Sequence, residues 1–307
     1  MMGYAVRRLL GAIPTLFVIV TLAFFMMRAA PGGPFDSQRK LTPEVERNIK
    51  AAYNLDKPLT QQYLIYLGKV VHGDLGPSYK NKDFTVVQLI ATGLPVSARL
   101  GLCAVALALL LGTFLGVNAA LKQNRWEDYS VMTVAMLGIT IPTFVTAPIL
   151  TLLLGISAGW LPVGGWNGGA LGYMVLPVTV LALPQIAVVA RLMRGSMIEV
   201  LRTNYIRTAR AKGLPTHRIV LGHALRAAAL PLVSYLGPAL AAVLTGSLVV
   251  EEIFGLPGIG RYFVQGALNR DYTLVLGVVI CYAALIIVLN FLADIAYGLL
   301  DPRVRLS

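Results

Sequence analysis

The sequence predicts an all-α polytopic membrane protein with six transmembrane helices, and three observations carry that reading. Of 307 residues, 57% are hydrophobic and 13% charged, with a mean hydropathy of +0.72, which is more apolar surface than one water-soluble core conceals. Charge-free apolar runs recur at about the 20-residue length that crosses a hydrocarbon layer. Lys and Arg crowd the ends of those runs on one side.

The first run, residues 9–27, is longer than the core of a signal peptide and reads as a retained first helix. In the extramembrane stretch that follows, Thr42 and Pro43 signal a helix start, with Val45, Ile49 and Tyr53 at helical spacing. Thr60 suits the cap of a second helix that aligns Tyr63, Leu64, Leu67 and Val71. This stretch reads either as a compact cap or as a surface for a partner. The second span is 100–121. Residues 131–190 are charge-free but too long for one helix, and Gly155, Gly159, Trp160, Pro162 and the GGWNGG run at 164–169 interrupt them, so two helices joined by an interfacial turn are expected. Runs at 227–250 and 273–293 complete the six. The organisation is then a first helix (1–28), an extracytoplasmic cap (29–98), a five-helix core (99–300) with a cytoplasmic loop at 191–226 and an outer loop at 251–272, and a tail (301–307).

Six spans place both termini on one side. That side carries fourteen bases against four acids, a net +10; the other carries twelve against nine, a net +3, and Asp294 inside the last span brings the sum to +12. The positive-inside rule makes the first side cytoplasmic. Although the pI is near 9.9, the bases lie in membrane-flanking loops without interleaved stacking aromatics, which argues against nucleic-acid binding. Cys103 and Cys281 fall inside spans and read as packing residues; His72, His217 and His223 fall in loops. There is no HExxH motif, no buried carboxylate pair and no GxxxxGK[ST] phosphate loop. Proton-driven transport, a competing class, needs ionisable groups within the bundle. The spans offer only Asp294, seven residues before Asp301-Pro302 and so close to the interface.

The cytoplasmic loop contains a short basic helix. Thr203 and Asn204 are N-cap types, Gly213 suits the left-handed residue after a C-terminus, and Pro215 forbids continuation. Between them lie Asn204, Tyr205, Ile206, Arg207, Thr208, Ala209, Arg210, Ala211 and Lys212, about two and a half turns, with Arg210 and Lys212 at the negative end of the dipole. Ala209, Ala211 and Gly213 keep the surface low. A helix this short must pack against something, either its own membrane domain or another protein, and with only Tyr205 and Ile206 as apolar anchors, docking fits better than a lipid surface.

Prolines fall within the third span (Pro142, Pro148), the fourth (Pro177, Pro184) and the fifth (Pro231, Pro238), and the carbonyls they free are tolerated against protein or a wet cavity. These helices are candidates to line a path, with Thr140, Thr143, Thr146, Thr179, Gln185, Ser234 and Thr245 as its polar contacts. Kinks and hydroxyls are also ordinary in membrane helices, and that reading stands beside the first.

The 191–226 loop resembles the EAA loop of ABC-importer permeases: Ala209, Gly213 and Leu225 match its pattern, while Arg207, Thr208, His223 and Arg226 replace its Glu, first Ala, Ile and Pro. The segments RRLLGAIPTLFVIVTLAFFMMRAAPGGPF, HGDLGPSYK, LPVGGWNGGAL, NYIRTARAKGLP, GLPGIGRYFVQGALNRDY and the closing DPR are similar, end to end, to the B-type permease subunits of oligopeptide and dipeptide importers, and nearest the oligopeptide members. The resemblance implies a type I ABC importer permease in the bacterial cytoplasmic (inner) membrane. It implies a homologous C-type permease partner, two ATPase subunits that bind ATP and Mg, an extracytoplasmic peptide-binding protein, a peptide substrate, and no cofactor in this chain. The 204–213 helix would be the coupling helix, and Gly258, Ile259, Gly260, Arg261 and Tyr262 would meet the binding protein. A dipeptide or other small-solute importer is the alternative within the family.

Overall fold

The structure is a computed structural model that describes residues 2–29, 53–81 and 83–300, with isolated positions 44, 47 and 51. The helix start read at Thr42-Pro43, with Val45 and Ile49, and the tail from 301 lie outside the described residues. The described elements are helical throughout, apart from one isolated bridge between Pro77 and Thr85. They are α1 (Met2–Ala29), α2 (Leu59–Val71), α3 (Val86–Leu121), α4 (Trp126–Thr140), α5 (Thr143–Leu150, extended by a π turn at Thr151–Ser157), α6 (Leu171–Leu201), α7 (Asn204–Ala211), α8 (Thr216–Ile219), α9 (Leu225–Ala228), α10 (Leu230–Phe254), α11 (Ile259–Leu268) and α12 (Tyr272–Leu300).

Five of these, α1, α3, α6, α10 and α12, are long and apolar enough to cross a membrane. The sixth span is broken. α4 and α5 pass the same test only as a pair, bent by 104°. Pro142 explains the break: the residue before a proline is driven out of the helical region, and Ile141 is extended at φ −90°, ψ 117°. The single third helix expected from hydropathy is therefore two pieces.

α3 starts well before its apolar run. Thr85 and Gln88 form a capping box, with Gln88 N–H donating to Thr85 Oγ1 (3.2 Å) and Thr85 N–H to Gln88 Oε1 (2.9 Å). The resulting 36-residue helix spans about 54 Å, more than the hydrocarbon thickness, so it continues beyond the bilayer at one end or both.

The core forms where α3, α6 and α10 meet, with Leu100, Ala104, Ala108, Leu176, Val180 and Val243 in one buried cluster. Contact between α3 and α6 is close because Gly112 and Gly116 stand one turn apart on the shared face. A Cβ on Gly116 would lie 2.5 Å from the Ala190 carbonyl oxygen, and one on Gly112 2.7 Å from Val189 Cβ. This is the small-residue packing that lets membrane helices approach without a hydrophobic driving force.

α1 packs against α12 and is otherwise mostly uncovered within this chain. Its end holds α2 by aromatic contact: Phe24 meets Tyr63 and Tyr66 at 5.4 and 5.6 Å between centroids, and the Thr21 and Tyr63 hydroxyls are 2.7 Å apart. This corrects the α2 face read from spacing, since Leu64 and Val71 are exposed and Tyr63 with Tyr66 turn inward.

Candidate functional site

The loop between α6 and α10 folds as a clamped, amphipathic knot. α7 ends in a Schellman motif: Gly213 adopts φ +75°, Leu214 N–H donates to the Ala209 carbonyl (3.3 Å) and Gly213 N–H to the Arg210 carbonyl (2.9 Å). Pro215 then opens an irregular helical run through α8, a π turn at Val220–Ala224 and α9. Ile206 is fully buried and Ala209 nearly so, in a cluster with Met193 and Met197 of α6 and with Ile219, Val220 and Ala224. Asn204, Tyr205, Arg207, Thr208, Arg210, Ala211, Lys212 and Gly213 remain exposed. The low surface read at Ala209 is thus corrected: Ile206 and Ala209 seat α7 on its own bundle, and the exposed residues form the outer face.

Directly above this seat lies an ion pair that hydropathy counting passed over. Arg194, next to Met193 on α6, forks onto Asp128, Nε to Oδ1 at 2.6 Å and Nη2 to Oδ2 at 2.7 Å. Asp128 is fully buried and also accepts from Asn124 N–H (2.9 Å), so it holds the α3–α4 turn and the start of α4 against α6. The seat of α7, the C-terminal part of α6 and the start of α4 are thereby tied together.

The candidate path residues are distributed over α4, α5, α6 and α10. Thr140, Thr146 and Thr245 donate within their own helices, to the carbonyls of Met136 (3.0 Å), Thr143 (3.2 Å) and Ala241 (2.9 Å). Thr143 and Thr179 are half-buried and Ser234 is exposed. Gln185 Oε1 accepts from Tyr235 OH at 2.7 Å, a bond that ties α6 to α10. α6 continues through Pro177 and Pro184, and α10 through Pro238.

At the other end of α10, about 38 Å away along its 25 residues, the 255–272 segment is a buried joint. Gly255 closes α10 at φ +65°. The fully buried Glu251 then accepts from Gly260 N–H (2.8 Å) and Arg261 N–H (3.3 Å), capping α11 from below. Ser97 of α3 donates to Glu251 Oε1 at 2.6 Å and accepts from Ile259 N–H at 3.0 Å. Gly258 has no room for a side chain against this carboxylate, and a Cβ on Gly260 would lie 2.6 Å from Leu248 Cα. Gly258, Ile259 and Gly260 are therefore buried rather than presented to a partner, while Arg261 and Tyr262 are half-exposed. A second buried acid, Asp271, caps α12 through Leu274 N–H (3.2 Å) and receives Ser78 Oγ (2.5 Å) and Lys80 N–H (3.2 Å) from the cap region. Glu251 thus fixes the start of α11, and Asp271 the start of α12. Glu251 and Asp271 carried no sequence signal beyond acidic residues flanking a turn.

Two family profiles match the chain: binding-protein-dependent transport system inner membrane component, over residues 108–306, and the N-terminal component of the same membrane proteins, over residues 1–101. The oligopeptide transport system permease protein OppB of Escherichia coli K12 is 55% identical over 305 residues, covering 99% of this chain and 100% of that protein. OppB of Haemophilus influenzae is 53% identical over the same shares. The dipeptide transport system permease protein DppB of Bacillus subtilis is 42% identical, covering 100% of this chain and 99% of that one. Among solved structures, an inward-facing MetNI methionine ABC transporter matches with a TM-score of 0.58 at 17% identity, over 70% of this chain and 97% of that chain, and shares the type I ABC permease fold. With profiles over nearly its whole length and relatives matched end to end, this chain belongs to the inner membrane component family of binding-protein-dependent transport systems.

Proposed function

We propose that this chain is the transmembrane permease subunit of a binding-protein-dependent ABC importer that moves oligopeptides across the bacterial cytoplasmic membrane. ATP hydrolysis, with its Mg, belongs to two partner ATPase subunits; a homologous C-type permease completes the pathway, and an extracytoplasmic binding protein delivers peptide. The observation that carries this reading is α7. Its apolar side is locked into the bundle while Tyr205, Arg207, Thr208, Arg210 and Lys212 face outward on the side with the greater positive charge. A rigid peg of this kind transmits a push from a docked protein as a rigid-body movement. It acts through Met193 and Met197 on α6, and from Arg194 through Asp128 on α4. The lack of a phosphate loop in the sequence accords with ATP chemistry in other subunits.

Purification from native membranes in mild detergent tests this. Recovery with a second permease and P-loop ATPases, vanadate-sensitive ATPase activity and oligopeptide uptake in proteoliposomes are expected. A chain that emerges alone and transports under an ion gradient would overturn the assignment. The 42% identity to a dipeptide permease supports a second reading, and preference for dipeptides over longer peptides in the same uptake assay would select it.

A further inference from the structure

The long helices differ in what they leave uncovered. α1 exposes Leu10, Leu22 and Met26, α3 exposes Leu102, Leu110 and Phe114, and α12 exposes Val288 and Leu292, side chains that suit a hydrocarbon surface. Along most of α6 and α10 the pattern is different. Among the described residues, no large apolar side chain is exposed on α6 after Val175 or on α10 before Val249. α6 exposes Arg191, Gly195 and Glu199 instead, each one turn from the next. α10 exposes Pro231, Ser234, Pro238 and Ala242, at helical spacing along one face. Both stripes are small, polar or charged, a surface that is disfavoured against hydrocarbon and at home against water or protein.

A hydrogen bond joins the two stripes. Tyr235, next to Ser234 and within electrostatic reach of Arg191, donates its O–H to Gln185 Oε1 at 2.7 Å. Both residues lie inside apolar spans, and both are half-buried. With Oε1 engaged, the amide presents its Nε2 group, which carries two N–H donors and has no hydrogen-bond partner. That group is also not among the sealed polar atoms of the bundle, so it keeps accessible surface. An amide donor left open inside a membrane span is satisfied by water or by a ligand that carries an acceptor.

Arg191 and Glu199 decide between a watery route and a permanent subunit contact. Neither forms an ion pair among the described residues, so a second protein packed over the α6 stripe would have to desolvate or neutralise both, whereas a watery route leaves them hydrated. We propose that this face lines the route of the transported peptide and that Gln185 donates to the peptide's backbone carbonyls. Tyr235 is a positioning residue that holds the amide with its donors free. The inference rests on the importer reading above. A carbonyl recurs at every residue of a peptide whatever its side chains, so one donor serves a varied set of substrates, and a single neutral hydrogen bond is weak enough to let go.

The test uses the importer complex from native membranes, reconstituted in proteoliposomes with its binding protein, and reads peptide uptake and ATP hydrolysis on the same sample. Gln185→Leu keeps the bulk and removes the donor, and should lower the peptide moved per ATP hydrolysed about fivefold; Tyr235→Phe, which lets the amide turn, should lower it about threefold. A merely structural role would lower uptake and hydrolysis together and leave their ratio unmoved. With Cys103 and Cys281 replaced, Ala242→Cys should capture a thiol-reactive peptide during turnover, and Leu110→Cys on α3 should not. Should Gln185→Leu fail to assemble, Tyr235→Phe and the capture experiment carry the test. Peptide uptake by the unaltered complex with the same ratio in both variants would overturn the Gln185 contact alone. Linkage of Ala242→Cys to the second permease by a short bifunctional reagent, with no capture of peptide, would make this face a subunit interface and overturn the route. An unaltered complex that takes up no peptide would overturn the importer reading and this site with it.

Discussion

Ser97 on α3 and Glu251 on α10, 154 positions apart in sequence, meet through a 2.6 Å hydrogen bond, and together they cap the first turn of α11. Replacing Glu251 by Ala removes an acceptor from two α11 amides and from Ser97, all in buried surroundings. A loss of about 2–4 kcal/mol is expected from unsatisfied groups of this kind, read as lower thermal stability and lower membrane abundance. Gly258→Ala, which presses on the same carboxylate, should be destabilising, whereas Gly195→Ala, with nothing within 4 Å, should not.

The fork between Arg194 and Asp128 should show strong coupling in a double-mutant cycle. Arg194→Ala strands a buried carboxylate and is expected to cost about 3 kcal/mol, and Arg194→Lys should recover only part of that, because an ammonium cannot reproduce the two-point geometry. Equal melting temperatures for Arg194→Ala and the parent would remove this pair from the account of how α6 and α4 are joined.

The two faces of α7 should separate in assay. Ile206→Ala opens a cavity beneath the helix and is expected to lower stability by about 2–4 kcal/mol. Tyr205→Ala and Arg207→Ala alter only exposed side chains, so abundance should hold while co-purification of ATPase subunits and uptake fall. Loss of abundance instead would mean that the outer face serves the chain's own fold.

Packing of α3 on α6 depends on the absence of a single atom. Gly116→Ala would bring a methyl to 2.5 Å from the Ala190 carbonyl oxygen and 2.8 Å from Met193 Cβ, with an expected cost of about 1–3 kcal/mol. Detergent melting curves measure it.

If the α4–α5 pair, α6 and α10 line a water-filled path, cysteines placed one at a time at Thr140, Thr143, Thr146, Thr179, Ser234 and Thr245, with Cys103 and Cys281 replaced, should react with a membrane-impermeant thiol reagent, and ATP binding should change the rate. Uniform silence would mark these hydroxyls as ordinary helix-bound groups, in keeping with the own-helix bonds of Thr140, Thr146 and Thr245.

Hydropathy and local signals were enough to find the spans and α7. A run of about 20 apolar residues has few soluble alternatives, and the Gly213 and Pro215 stop signals act within one turn of the chain, as the Schellman motif at Gly213 shows. The same local reasoning failed at the 104° break before Pro142, because a proline signals only the chance of a kink and neighbouring helices decide whether one forms. At residues 258–260 the expectation came from the resemblance, and nothing in the local sequence records that Glu251 and Leu248 close over them.

The sequence by itself determined that this chain spans a membrane, that it carries a short basic helix between two spans, and which family it resembles, since each of these rests on composition or on neighbours within a few residues. Only the tertiary structure decided which side of that helix faces outward, that Glu251 and Asp271 are buried caps, and that Arg194 grips Asp128. The side-chain pairs Arg194–Asp128, Ser97–Glu251 and Ser78–Asp271 join residues 66, 154 and 193 positions apart. A polar group in a low-dielectric interior is fixed by whichever partner the fold brings within hydrogen-bond reach, and no periodicity along the chain records that partner.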